Sequence, residues 1–139
     1  MAASTSFRIN ETAKQRLTAR AEWEGLTVTA LLNQLIMEGC DQIDFPGIVF
    51  RGPASDRRAA LAAGPDVWEV VSRLQDLSGS EEKRIATLAE ESDLHPRLIR
   101  LAIDYAAEHR DVIQQRIDRN RQMAEHQQHV TAERQRLLA

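Results

Sequence analysis

Residues 5–10 read TSFRIN, and the fold turns on whether this stretch is a strand of a folding core or a reading head aimed outside the protein. Along an extended chain Thr5, Phe7 and Ile9 share one face, while Ser4, Ser6 and Arg8 share the other. Asn10 stops the run and opens a helix. Its side chain suits an N-cap, Glu11 suits the positive end of the helix dipole, and Ala13, Leu17 and Ala21 recur every four residues up to a C-cap at Gly25. LTVTALLNQLIMEG, residues 26–39, repeats the pattern with Thr27 as N-cap, Leu31, Leu32, Leu35 and Ile36 as an apolar stripe, and Gly39 as the stop. So small a strand-helix-helix unit cannot bury enough surface alone. Its single strand needs a partner, most simply the same strand of a second copy.

Outward from this unit the helical pattern breaks at residues 41–58, DQIDFPGIVFRGPASDRR, where Pro46, Gly47, Gly52 and Pro53 bracket the β-like run IVF. A second helical module begins near residue 64. Val67, Val70, Val71 and Leu74 follow helical spacing behind Pro65, then Ile85, Leu88 and Ala89 mark a second helix, and Leu98, Leu101, Ala102 and Tyr105 a third. From residue 112 the apolar stripe thins to Met123, Val130 and Leu137, one every seven residues, with Leu138 beside the last. That seam is too thin to stabilise a lone helix. The expected architecture is mostly α: residues 1–42 a dimerising unit, 43–111 a small three-helix domain with a short β element, and 112–139 a helical or disordered tail that binds a partner.

Composition narrows the function. The chain has 139 residues, 42% of them hydrophobic but only 4% aromatic, which suits helices packed through Leu, Ile, Val and Ala. One cysteine, Cys40, excludes an internal disulfide or a CxxC site, and fits a reducing cytoplasm. The start MAASTS lacks a basic segment followed by an apolar run, and no apolar stretch is long enough to span a bilayer, so a soluble, untargeted protein is expected. The net charge of −3 argues against binding nucleic acid through an overall basic field, so any DNA contact must come from a few placed groups.

Residues 1–39, with alternation in TSFRI, the capping NET, Leu17 and Ala21, Gly25 and the LTVTALL that opens the second helix, resemble the ribbon-helix-helix family of DNA-binding proteins. The resemblance implies an obligate dimer in which two TSFRIN strands pair and enter the major groove. Thr5, Phe7 and Ile9 would face the dimer core. Ser4, Ser6 and Arg8 would read base edges, Arg by donating twice to guanine, and Thr27 and Thr29 would hold a phosphate at the second helix's N-terminus. Residues 57–113 resemble a small helical domain common in VapB-type antitoxins, departing from its Gly-Thr-Arg-Ile turn with AGPDV.

Together these imply a non-enzymatic antitoxin of a type II toxin–antitoxin pair. It would repress its own operon by binding operator DNA and silence a VapC-like ribonuclease with a PIN-type fold, as a homodimer or a higher oligomer with its toxin. The tail would cross the toxin, with Met123, Val130, Leu137 and Leu138 as apolar anchors and Arg121, Arg134 and Arg136 meeting acidic groups. A stand-alone repressor whose second module senses a ligand is the alternative, and a dimeric scaffold without DNA is a third reading.

Other constellations are weighed against plainer explanations. Arg97 and Arg100 could mark a helix-turn-helix, but residues 43–110 carry 9 basic against 12 acidic groups, which favours a structural helix pair. Arg51, Arg57 and Arg58 either hold phosphates or pair with acids such as Asp56 and Asp66, and both readings stand. His126 and His129, with Glu125 and Glu133, read as a solvated helix rather than a metal site, while His95 and His109 read as structural. Trp23 and Trp68 are either core or anchors. No nucleophile has a neighbouring base with an orienting acid, and no Gly-rich loop follows a strand, so neither catalysis nor a cofactor or metal is expected.

Overall fold

The computed structural model describes residues 3–139. Among them the chain forms six α-helices and one hairpin: α1 (Glu11–Glu24), α2 (Val28–Asp44), β1 (Ile48–Arg51), β2 (Arg58–Leu61), α3 (Val67–Asp76), α4 (Glu81–Ser92), α5 (Pro96–Glu108) and α6 (Arg110–Leu137). The protein is mostly helical, and no helix is long and apolar enough to cross a membrane among the described residues.

The ribbon-helix-helix expectation for the fold is overturned at its first element. Residues 3–10 form no strand, α1 begins at Glu11, and both strands lie mid-chain, where they pair with each other. The physical reason is that alternation needs a neighbouring ladder to become a strand, and β1 and β2 satisfy one another instead. Phe7 is consequently 81% exposed, and Ser4, Ser6 and Arg8 lie on exposed irregular backbone.

Four of the six helices, α1, α2, α4 and α5, begin where a side chain satisfies one of the first free amides. Asn10 Oδ1 accepts from the Ala13 N–H at 2.7 Å, and Thr27 Oγ1 from the Ala30 N–H at 3.0 Å. Gly25, at φ +68°, closes α1 in the left-handed conformation. The expected stop at Gly39 does not occur, because α2 runs on to Asp44. A single glycine only weakens a helix, whereas Pro46 pushes Phe45 out of the helical region and ends it.

In the hairpin Ile48 faces Leu61, Val49 faces Ala60, Phe50 faces Ala59 and Arg51 faces Arg58. Ala59, Ala60 and Leu61 are buried, and α3 packs on this strand. Val67, Val70 and Leu74 of α3, Ile85 and Leu88 of α4, and Ile99, Ala102 and Tyr105 of α5 complete the core. On α5 the innermost side chain is Ile99, fully buried, while the expected Leu98 and Leu101 are half-buried beside it. The expected three-helix domain is therefore a hairpin with α3, α4, α5 and the first turns of α6. Ile113 and Ile117 seat those turns, after which α6 continues unbroken with no buried side chain.

Candidate functional site

The α1–α2 arm has only Ala21 and Leu31 buried. Of the expected α2 stripe, Leu32 is half-covered, and Leu35 and Ile36 are about half exposed at 49% and 51%, with Val28 and Ile43 open along the same helix. Covering the exposed half of such a side chain gains about half of the roughly 1.5–3 kcal/mol that full burial gives, so this surface favours association. Trp23 is exposed at the end of α1, which removes it from the core. Of the expected phosphate-holding pair, Thr27 uses its hydroxyl to cap α2, and Thr29 lies exposed in the first turn.

The arm joins the body through Phe45, whose ring meets Tyr105 edge-on at 5.3 Å, and through Asp41, whose Oδ1 lies 3.8 Å from His109 Nε2. Burial, then the nearby Asp41, pushes the Tyr105 hydroxyl well above its ordinary range, so Tyr105 is neutral at any physiological pH. His109 stacks on Tyr105 at 4.2 Å, where α5 ends and α6 begins, and His95 caps α5 by accepting from the Arg97 N–H. Both histidines thus have structural positions.

Between arm, hairpin and α6 lies an open groove of about 450 Å³. Arg57 clamps Glu38 of α2 with two nitrogens, at 2.9 and 2.7 Å, and that hydrogen-bonded pairing raises the Arg57 pKa. Arg58 donates to Asp66 at 2.7 Å and to Asp56 at 2.9 Å. Asp56 also accepts from both terminal nitrogens of Arg116. Arg51 donates to the carbonyls of Gly64 and Leu61 at 2.9 Å. These three hairpin arginines thus answer acids and carbonyls of their own chain. Trp68 is tied in by its indole N–H, which donates to Asp66, and Arg116 lies 5.8 Å from the centre of its ring. Arg57, Arg58, Asp56 and Asp66 were visible in the sequence as a charged loop. Glu38 and Arg116 were not, because their partners lie 19 and 60 residues away.

The tail residues divide. Arg121 is held against the body, donating to Gln75 Oε1 at 3.1 Å and lying 3.6 Å from Asp76. Met123, Arg134, Leu137 and Leu138 are exposed, and Val130 is partly covered. His126, His129, Glu125 and Glu133 lie on the exposed part of this helix. No group of three or more His, Cys, Asp or Glu capable of holding a metal occurs among the described residues. On α4 and α5, Arg100 pairs with Glu82 at 3.0 Å. No protein-family model matches the chain, and neither a curated protein nor a solved structure is found to be similar to it.

Proposed function

We propose that this chain is the antitoxin of a type II toxin–antitoxin pair, which captures a ribonuclease toxin with the free end of α6 and represses its own operon. The observation that carries the reading is the division of α6. Its first turns are built into the core by Ile113 and Ile117, and the remaining run to Leu137 has no buried side chain and is exposed apart from the partly covered Arg121 and Val130. Twenty residues of helix extend about 30 Å, enough to cross one face of a small enzyme. Met123, Leu137 and Leu138 supply apolar anchors, and Arg134 and Arg136 supply charge for an acidic nuclease site of the PIN type.

Two further features support the reading. The uncovered aliphatic side chains of α2 suit a homodimer through the arm. Ser4, Ser6 and Arg8 are exposed ahead of α1, available to operator DNA, with Thr29 near a phosphate. Co-expression with the neighbouring gene, followed by mass measurement of the purified species, tests the reading. The expected result is a complex with a small protein that arrests growth when made alone, and loss of that complex when the chain is truncated after residue 117. Full neutralisation by the truncated chain would remove α6 from the role of inhibitor. The groove beside the hairpin favours a second reading, a stand-alone repressor with a ligand-sensing body. That reading predicts a homodimer and a harmless, non-binding neighbour.

A further inference from the structure

The groove between α2, the hairpin loop and the start of α6 combines three properties. Its volume, about 450 Å³, falls among those of small-molecule sites. Its lining includes the aromatic rings of Phe50, Trp68 and Tyr105. Its α6 side carries two guanidinium groups one turn apart, Arg116 and Arg119. Arg119 is exposed and enters no ion pair or side-chain hydrogen bond among the described residues.

Asp56 displays what this arrangement accepts. Its carboxylate sits on a loop, 41% exposed, and takes both terminal nitrogens of Arg116, the fork that a guanidinium offers to any carboxylate or phosphate. With Asp56 41% and Arg116 25% exposed, water reaches the pair from its Asp56 side, so an anion entering the groove can share Arg116 or compete with Asp56 for it. A bare inorganic anion would leave the aromatic wall unfilled, and a neutral apolar molecule would leave Arg119 unanswered. Both features are used only by a molecule that carries an acid group and a ring.

We propose that this groove binds a small aromatic anion, its acid group on Arg116 and Arg119 and its ring against Trp68. Met37, Glu38 and Asp41 of α2 also line the groove, which therefore spans arm and body. The site does not depend on the antitoxin reading, and its test needs neither toxin nor DNA.

The test uses the full chain carrying Trp23→Phe, which leaves Trp68 as the one indole of the two in the sequence. It is titrated with adenosine monophosphate, phenylacetate and inorganic phosphate, with Trp68 fluorescence as the readout. The expected result is saturable binding of at least one organic anion, with inorganic phosphate weaker by about tenfold or more. Saturation by adenosine monophosphate alone assigns a phosphate-bearing ligand, and saturation by phenylacetate alone assigns a carboxylate. Arg119→Gln, at an exposed position, should weaken binding about tenfold without moving Tm, and Asp56→Asn should tighten it by releasing Arg116. The proposal is overturned by no saturable change up to about 10 mM of either organic anion, by equal binding of inorganic phosphate, or by unchanged affinity in Arg119→Gln.

Discussion

Asp66 stands at the N-cap position of α3 but does not cap it, because its carboxylate accepts from Arg58 and from the Trp68 indole instead. It is 8% exposed, so those donors have no ready substitute in water. Asp66→Ala should therefore lower stability by about 2 kcal/mol, read by thermal or urea unfolding, and Asp66→Asn by less because it keeps one acceptor. Asp56 makes the opposite case, a pair held at the surface. The hydrogen bond from Arg116, ahead of the charges of Arg116 and Arg58, holds its carboxyl below the ordinary 3.8. A lowered folded-state value means that the Asp56–Arg116 pair contributes fully above 3.8 and is lost as the pH falls through that lower value. Arg116→Gln should return the Asp56 carboxyl toward 3.8, as measured by its carbon resonance in an acid titration; an unmoved midpoint would mean that Arg116 does not hold the loop.

At the scale of elements, two glycines that look alike in sequence behave as opposites. Gly25 sits at φ +68° and ends α1, so Gly25→Ala should cost about 1 kcal/mol. Gly39 lies inside α2, and a methyl group added there would meet nothing within 4 Å. Gly39→Ala should stabilise the protein by about 0.5–1 kcal/mol, and chemical unfolding of the two variants should move in opposite directions. The pair also shows what the sequence could disclose. Caps at Asn10, Gly25 and Thr27 were legible because they are chemistry within three or four residues of the chain. The end of α2 lies beyond Gly39 because a lone glycine only weakens a helix, while Pro46 forces the residue before it out of the helical region. Strand β2, with sequence RAAL, carries no β-branched residue, and its alanines are strand only through their register with β1 and their cover under α3. The alternation at residues 5–9 is the same whether or not a ladder stands beside it, so pattern alone could not decide its state. The groove was illegible for a related reason: α2, the hairpin, α3, α5 and α6 each contribute to it, and only packing brings them together.

At the scale of the whole molecule, the protein is a packed body with an arm at one end of the chain and a long helix at the other. The body's core ends at Ile117, so Ile117→Ala should cost about 2–5 kcal/mol, whereas Val130→Ala, outside the core, should leave unfolding nearly unchanged. Circular dichroism melts of the two variants check this contrast, and equal losses would place the distal helix in the cooperative unit. The division of α6 bears also on how long each part of the molecule survives. A helix held by its own hydrogen bonds opens far more often than one locked into a core, so a protease meets the run from Arg119 to Arg136 first. Brief trypsin treatment should remove that run and leave a resistant fragment containing Ile117. Turnover of the distal helix and turnover of the fold are then separate clocks: a cell can erase the outer surface within the lifetime of the body that carried it, with no unfolding of the core.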